Sequence, residues 1–590
     1  MGDRASSSST ATRRFAQLYQ VDEAQILLEN LPSDLSDEEP DSDPEDATYE
    51  EEPTMRNVQL DSLDRIQECP EETNGSNTQA TEEFVRKWKK REKDDCSGEF
   101  QHPEGPKEQE FEACNRPIDF FLKFWDSNIE NNILTQSNLY VNQKQRVVPV
   151  FTLPDLRGFV GLNIVMGYHT LPSYKLYWSN QPDLAVPLMP STMSKTRFEQ
   201  FLSNLHVNDD ADRNRPAHDK LWKLRPLLDS LNNNFIKFYD IKREQSIDES
   251  MILFKGRSCL KQYCPMKPIK RGFKMWVRAD SDGYMSRFEV YQGKGTGTGR
   301  EGFGLGESVV LNLCEDILGK GQKVFFDNYF TSLPILAHLR RNETWSCGTI
   351  RSNRKGLPAG LTDEKDLNRG DFDFRVSNDD ITFFKWMDVK CVHVASNFHS
   401  TKSTVVNRTQ KDGTRAEIQC PQAIFDYNVF MGGVDKADML CGLYGVSRKS
   451  KKWWHRMFFG LIDRTLVNAF IVHSKLASEK LSLLNFLRSV ALSLVALSKP
   501  PRMGRPLASP CPSPVPGKKR RKNAWSVSDA VRLEQVGLHY IVYKEDRGRC
   551  EVCSSKGIQS RPHSKCHICD VFLCSNGNKN CFLDFHGIAQ

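Results

Sequence analysis

Between residues 115 and 243 apolar side chains recur every three or four positions. Pro117–Trp125, Leu156–Met166, Ser194–Leu205 and Leu221–Leu231 each carry one apolar stripe, as helices with a buried face do. From 244 the period drops to two. Gln245–Gly256 alternates around Asp248, and Phe273–Ala279 and Tyr284–Tyr291 alternate on either side of Asp280-Ser-Asp-Gly283. That turn is rich in residues that tolerate positive φ, so the pair predicts a hairpin. Glu307–Leu318 then predicts a helix and Val324–Asp327 a strand. Ser332–Arg340 predicts a helix with Ser capping and Pro in its first turn, and Trp345–Ile350 another strand. Three short strands, Asp371–Val376, Ile381–Met387 and Cys391–Ser396, read as a small β insertion within 353–420. Helices over Trp453–Ala477 and Leu483–Leu497 follow.

Composition divides the chain further. Of 590 residues, 38% are hydrophobic and the net charge is +5, but the charge is segregated. Leu31–Pro53 holds eleven Asp or Glu and no Lys or Arg, too little apolar surface to offset chain entropy. Residues 1–114 are therefore expected to be a disordered acidic tail that is solvated or folds back on basic surface. Pro500–Pro516 contains seven prolines and reads as a linker within 500–534. No secretory leader pattern opens the sequence, and no apolar run suffices to span a membrane. Gly293-Lys-Gly-Thr-Gly-Thr-Gly299 lacks the Gly-Lys-Ser/Thr ending of a phosphate loop and is expected to be a plain loop.

Three aspartates stand in settings that suit metal chemistry. Asp248 lies mid-strand, Asp327 ends an apolar run, and Asp435 precedes Asp438 by three positions. A two-metal phosphoryl-transfer site needs carboxylates converging from several elements. The order strand, strand, strand, helix, strand, helix, with Asp on the first and fourth strands, is that of an RNase H-like fold by analogy. At the other end, six of the seventeen cysteines crowd between Cys550 and Cys581. Cys550-x2-Cys553 and Cys566-x2-Cys569, followed by Cys574, Cys581 and His586, predict two tetrahedral zinc sites in 535–590. Seven ligands leave an eighth to find, His539 or His563. Arg448, Lys449, Lys451, Lys452 and Trp453 form a basic cluster with a stacking platform. Lys518, Lys519, Arg520, Arg521 and Lys522 are a nuclear-localisation candidate.

The segments Ser246-Ile-Asp248-Glu, Phe325-Phe-Asp327-Asn-Tyr-Phe-Thr-Ser332, Cys347-Gly-Thr-Ile-Arg351-Ser-Asn-Arg354, Tyr427-Asn-Val-Phe-Met-Gly-Gly-Val-Asp435-Lys-Ala-Asp438 and Ser447–Trp453, with the Cys/His block, occur together. In that combination 115–590 resembles the piggyBac-type cut-and-paste DNA transposases and their domesticated derivatives. The resemblance implies an RNase H-like catalytic core (244–352 and 421–444) interrupted by the insertion. It also implies a split helical dimerisation and DNA-binding domain (115–243 and 445–499) and a C-terminal cross-braced zinc module. It implies a homodimer acting on double-stranded DNA, with excision through hairpins and insertion at TTAA targets. Asp248, Asp327 and Asp435 would hold two Mg²⁺ ions, with Asp438 a fourth required acid. Arg351 and Arg354 would contact DNA, Trp453 would stand near the active site, and His539 would be the eighth zinc ligand. The alternatives are a derivative that binds DNA without cutting it, and a RING- or PHD-like chromatin or ubiquitin factor. Trp454 and His455 depart from the family form, in which proline follows the tryptophan.

Overall fold

The structure is a computed structural model that describes residues 85–498 and 525–587, apart from 213–215, 217–218, 266, 294–298, 411–412, 447, 449, 534–535 and 577–578. The acidic run at 31–53, most of the glycine loop, the linker and the basic run at 518–522 lie outside the described residues.

The helical stripes fold as helices, and one further long helix joins them. Helix α1 (Pro117–Phe124) is capped by Asp119, whose carboxylate accepts the Arg116 amide at 2.9 Å. Helix α2 (Ser127–Gln143) is the addition. It is rich in asparagine and its apolar positions are sparse, so the period is faint in the sequence. Asp126 caps it through the Ile129 amide, and it buries Ile129, Ile133, Tyr140 and Val141. Helix α3 (Leu153–Tyr168) is buried almost all round, and α4 (Lys195–Asn204) begins at the Ser194 cap. The helix expected from Leu221 begins later. A 3-10 turn at Trp222–Leu224 precedes α5 (Arg225–Lys237), where Pro226 occupies the first turn.

A ten-stranded mixed sheet forms the centre. Its strands are β1 (Trp88–Lys89), β2 (Glu244–Leu253), β3 (Lys261–Tyr263), β4 (Arg271–Asp280), β5 (Met285–Val290), β6 (Lys323–Phe326), β7 (Trp345–Thr349), β8 (Phe372–Ser377), β9 (Thr382–Met387) and β10 (Cys391–Ser396). Their order is β1-β8-β9-β10-β7-β6-β2-β4, with β3 and β5 both paired to β4. Strands β4 and β5 form the expected antiparallel hairpin, β2 is antiparallel to β4, and β2, β6 and β7 run parallel. Helices α6 (Leu305–Cys314) and α7 (Leu333–Arg341) supply the crossovers and pack on the face that carries Ile247, Trp276, Val324 and Phe326.

Two sequence boundaries need correction. The stretch 353–420 does not form a separate insertion domain, because β10 pairs with β7 and so continues the same sheet. Its strands alternate apolar residues onto both faces: Phe383 and Ala395 join one core, Phe374, Phe384 and Val394 another. With both faces buried, these strands extend the sheet. A further hairpin, Ser403–Thr409 with Arg415–Pro421, was not anticipated. Residues 85–111 are not tail. Trp88 pairs with Ser377 across the sheet edge, Arg86 bridges Asp379 at 2.5 Å, and Gly105–Pro106 pairs with Tyr239–Asp240. Trp88 and Phe111 supply the apolar anchors that the densely charged composition obscures.

Helix α8 (Gln422–Phe430) returns the chain to the sheet; buried His399 reaches its Asp426 at 3.0 Å and Ser396 at 2.8 Å. Helix α9 (Gly433–Leu443) packs on β2 and β4. Helices α10 (Trp453–Leu476) and α11 (Leu483–Leu497) pack against α1 and α3, so distant stretches of chain share one apolar core. Each fully buried Phe or Leu in it contributes roughly 1.5–3 kcal/mol. Among the described residues no helix is long and apolar enough to cross a membrane.

Candidate active site and zinc centres

Strand pairing brings the first two aspartates together. Ile247 is level with Phe326 in the parallel pair β2–β6, so Asp248 follows on β2 and Asp327 stands just past the end of β6. Ile247 and Phe326 face the α6/α7 core, and alternation turns both aspartates to the opposite face. Asp327 accepts hydrogen bonds from the Asn328 amide at 2.6 Å and from Thr349 Oγ1 at 2.8 Å. Asp248 accepts one from the Glu249 amide at 2.7 Å.

Helix α9 brings the other two acids over the same face. Its start presses on the sheet at Gly433, where an added Cβ would lie 2.3 Å from the Asp280 carbonyl and 2.6 Å from Ser246 Oγ. Only glycine permits that approach. Asp435 then falls in the first turn, exposed, where the helix dipole favours a carboxylate. Asp438 stands one turn on, on the same side. It accepts from Ser250 Oγ at 2.6 Å, and the buried guanidinium of Arg464 lies 3.4 Å away.

The electrostatics tie the set together. Burial raises the Asp248 carboxyl to about 6, with the Asp435 charge adding to the rise and Lys267 opposing it. Burial also raises Asp438, against the pull of Arg464 and Ser250. Lys267 was not singled out in the sequence. Its Nζ lies 3.0 Å from Asp248 Oδ2. Burial disfavours its charge, but Asp248 and Asp435 outweigh that and hold the ammonium above its usual range. Tyr427, on α8, is raised by burial and then by the charge of Asp327; its hydroxyl lies 3.4 Å from Thr349 Oγ1. The aspartates do not close to within 4.8 Å of one another as a single-ion cluster. They are oxygen donors, three of which act on one lysine, Lys267, and such a donor set suits hard divalent cations.

Arg351 and Arg354 gather at the rim. Arg351 Nε donates to Asn328 Oδ1 at 3.2 Å, and Arg354 donates to the Asn328 carbonyl at 3.1 Å. Both are thereby held beside Asp327. The basic cluster at 448–453 is only partly at the surface. Lys452 is buried and donates to the Ser203 carbonyl at 3.2 Å. Arg448 lies over the rings of Tyr174 and Phe459. Trp453 is half-buried, edge-on to Phe273. The start of α10 is thus packed into the helical core by its aromatic neighbours, and among the described residues of the cluster only Lys451 is exposed. Lys449 lies outside the described residues. Trp454 and His455 are buried as well, filling core volume.

The C-terminal cysteines and histidines fall into two buried groups of four, Cys550, Cys553, Cys574 and Cys581, and His539, Cys566, Cys569 and His586. The groups alternate along the chain, which is a cross-brace. Cys553 Sγ lies 3.5 Å from Cys581 Sγ and 3.7 Å from Cys574 Sγ. His539 Nδ1 lies 3.2 Å from Cys569 Sγ, and His586 Nε2 3.4 Å from Cys566 Sγ. Sulfurs on a tetrahedral Zn²⁺ at 2.3 Å stand about 3.8 Å apart, so the donors fit zinc. His586 is set for the role. Burial lowers it to about 4, so the ring is neutral, and Nδ1 donates to the Phe582 carbonyl at 2.8 Å, leaving Nε2 for the metal. His563 stands apart, between Arg547 and the Lys544 carbonyl.

Comparison with known proteins matches this architecture. A family model described as Transposase IS4 matches residues 116–470. Human PiggyBac transposable element-derived protein 3 is 31% identical over 485 residues, spanning 81% of this chain and 77% of the relative. Human PiggyBac transposable element-derived protein 2 is 27% identical over 495 residues, 82% of this chain and 78% of the relative. The solved structure of a piggyBac transposase synaptic complex with hairpin DNA has the same fold, with a TM-score of 0.59 at 24% identity over 68% of this chain and 85% of that one.

Proposed function

Because the chain belongs to the piggyBac transposase family, we propose that it is a cut-and-paste DNA transposase, a metal-dependent enzyme that excises through hairpins and inserts at TTAA targets. The observation that carries this reading is Asp248 beside Asp327 on parallel strands, with Asp435 brought over the same face by α9. The antiparallel trio β5-β4-β2 continued by parallel β6 and β7 supports an RNase H-like description of the core.

The oxygen donors fit Mg²⁺, and two ions at Asp248, Asp327 and Asp435 would neutralise charge on a scissile phosphate and sharpen the attacking oxygen. The chain's own groups have separate tasks. Asp438 positions β2 against α9 through Ser250 and Arg464. Lys267 balances the carboxylates before the metals arrive. Arg351 and Arg354 neutralise backbone phosphates beside Asp327. The exposed Lys451 offers a further phosphate contact, and the zinc module serves as a DNA-recognition unit. A homodimer and a nuclear location complete the proposal, the latter motivated by Lys518–Lys522.

Both human relatives described above are named as element-derived proteins, so DNA binding without cleavage is the second reading. Incubating the full chain with Mg²⁺ and TTAA-flanked transposon-end DNA separates the two. The proposal expects nicking and hairpin formation, lost in Asp248→Asn, Asp327→Asn and Asp435→Asn while binding persists. Wild-type binding with no cleavage selects the second reading.

A further inference from the structure

A third group of metal-type donors lies outside both the acidic site and the zinc module. Cys391 and His393 are two positions apart on β10, so both side chains leave the same face of the sheet. Cys391 Sγ lies 3.7 Å from His393 Nε2. Glu364 comes from the 3-10 turn Glu364–Asp366, and the three donor atoms all lie within 4.8 Å of one another. Cys391 and His393 are half-buried, while Glu364 is exposed.

We propose that Glu364, Cys391 and His393 form a third metal site that takes a zinc-class divalent ion, with a fourth position open to water. The donor set is one thiolate, one imidazole and one carboxylate, a mixture of borderline-soft character that suits Zn²⁺ and disfavours Mg²⁺ or Ca²⁺. The sulfur–nitrogen separation is the one two ligands of a tetrahedral zinc ion adopt. The site lies on the sheet face opposite the aspartates, because Cys391 and His393 share their face with Ala395, and Ala395 packs with Ile247 and Phe326.

Its position gives it a task. The Ile350 amide donates to the His393 carbonyl at 3.0 Å, so β10 is locked to the end of β7. The chain leaving β7 carries Arg351 and Arg354 and then reaches Glu364. That segment has little regular structure of its own, a 3-10 turn apart. A metal ion held by Glu364 at one end and by β10 at the other would clasp the segment to the sheet and hold the two arginines at the rim of the acidic face. The site is argued from its own donors and stands whether or not the chain cuts DNA.

Metal analysis of the full chain, grown with zinc and stripped of loosely held ions, tests it. The C-terminal clusters account for two zinc ions, so the wild type should carry three and Cys391→Ser two. Cys553→Ser should lose zinc from the module and keep the third ion, which separates failure of this site from failure of the module. Glu364→Gln changes an exposed side chain and spares the fold. It should weaken the third ion by more than the roughly 10–100-fold that loss of an outer-shell partner costs. Adding Co²⁺ to protein whose module is zinc-filled gives a second readout, a single thiolate-to-cobalt absorption band that is absent in Cys391→Ser. Two zinc ions in the wild type with no cobalt band overturn the proposal. So does a third ion that survives in Cys391→Ser.

Discussion

The Lys267 ammonium lies 3.0 Å from Asp248 Oδ2, and its charge is held above its usual range by Asp248, Asp435 and Asp438 together, against the cost of burial. One side chain therefore stands where the carboxylates would otherwise repel one another. It neutralises the oxygens that a divalent ion would neutralise, so lysine and metal compete for the same field.

Replacing Lys267 by Met should make metal binding easier at a pH alkaline enough to keep Asp248 ionised, since Lys267 is also the charge that holds that carboxyl down. Removing a unit charge a few ångströms from the site lowers the half-saturating Mg²⁺ concentration for DNA cleavage by on the order of tenfold. Lys267→Arg keeps the charge and should not. A titration of cleavage against Mg²⁺ checks this; an unchanged or higher midpoint in Lys267→Met would retire the competition.

Asp248 makes the metal-free fold depend on pH. Its carboxyl is raised to about 6 in the fold by burial, then by Asp435, against about 3.9 in an unfolded chain. The native state therefore binds more protons between about pH 4 and 6. The contribution of Asp248 to stability is therefore fullest below 4 and is lost as pH rises through 6. Asp248→Asn escapes that penalty, worth up to about 3 kcal/mol for a side chain only 16% exposed. Metal-free melting curves should coincide near pH 4 and separate above 6, with the variant higher. Coincident curves at pH 7 would contradict it.

Truncation should distinguish tail from fold. A chain that begins at 112 loses the β1–β8 pairing, the Arg86–Asp379 bridge and the Arg91–Asp380 bridge. Relative to a chain that begins at 85 it should be destabilised by on the order of 2–3 kcal/mol, the upper end of what a single substitution usually costs. Denaturant midpoints of the two chains measure the difference, and equal midpoints would return 85–111 to the tail.

The two candidate histidines of the zinc module should behave differently. His539→Ala should lose one of two zinc ions from the 525–587 module and loosen its fold, since metal binding supplies much of the folding free energy of so small a unit. His563→Ala should keep both ions, because that ring faces Arg547 and the Lys544 carbonyl. Metal content of the two variants decides it.

Much of the chain was legible in its residue pattern. The stripes that became α1, α3, α4, α10 and α11, the β4–β5 hairpin and the three strands β8, β9 and β10 all carry a period of 3.6 or 2, and that period is a local property. The paired Cys-x2-Cys spacing likewise announces two Cys/His donor groups before any fold is known. Helix α2 escaped because asparagines dilute its stripe, and residues 85–111 escaped because a dense run of charges of both signs conceals a few apolar anchors. Other facts have no local signal at all. The sequence sets Asp248 and Asp327 apart, and only the parallel register of β2 and β6 makes them neighbours. Lys267 looks like any lysine in a basic loop until the fold sets it against Asp248. Lys452 and Arg448 read as exposed phosphate contacts, yet the aromatic residues of α10 and α3–α4 draw them into the helical core. Between His539 and His563 the spacing was indifferent, and the cross-brace chose. In each case the deciding quantity is a distance between residues far apart in the chain, which arises from burying two faces of one sheet and one helical core together.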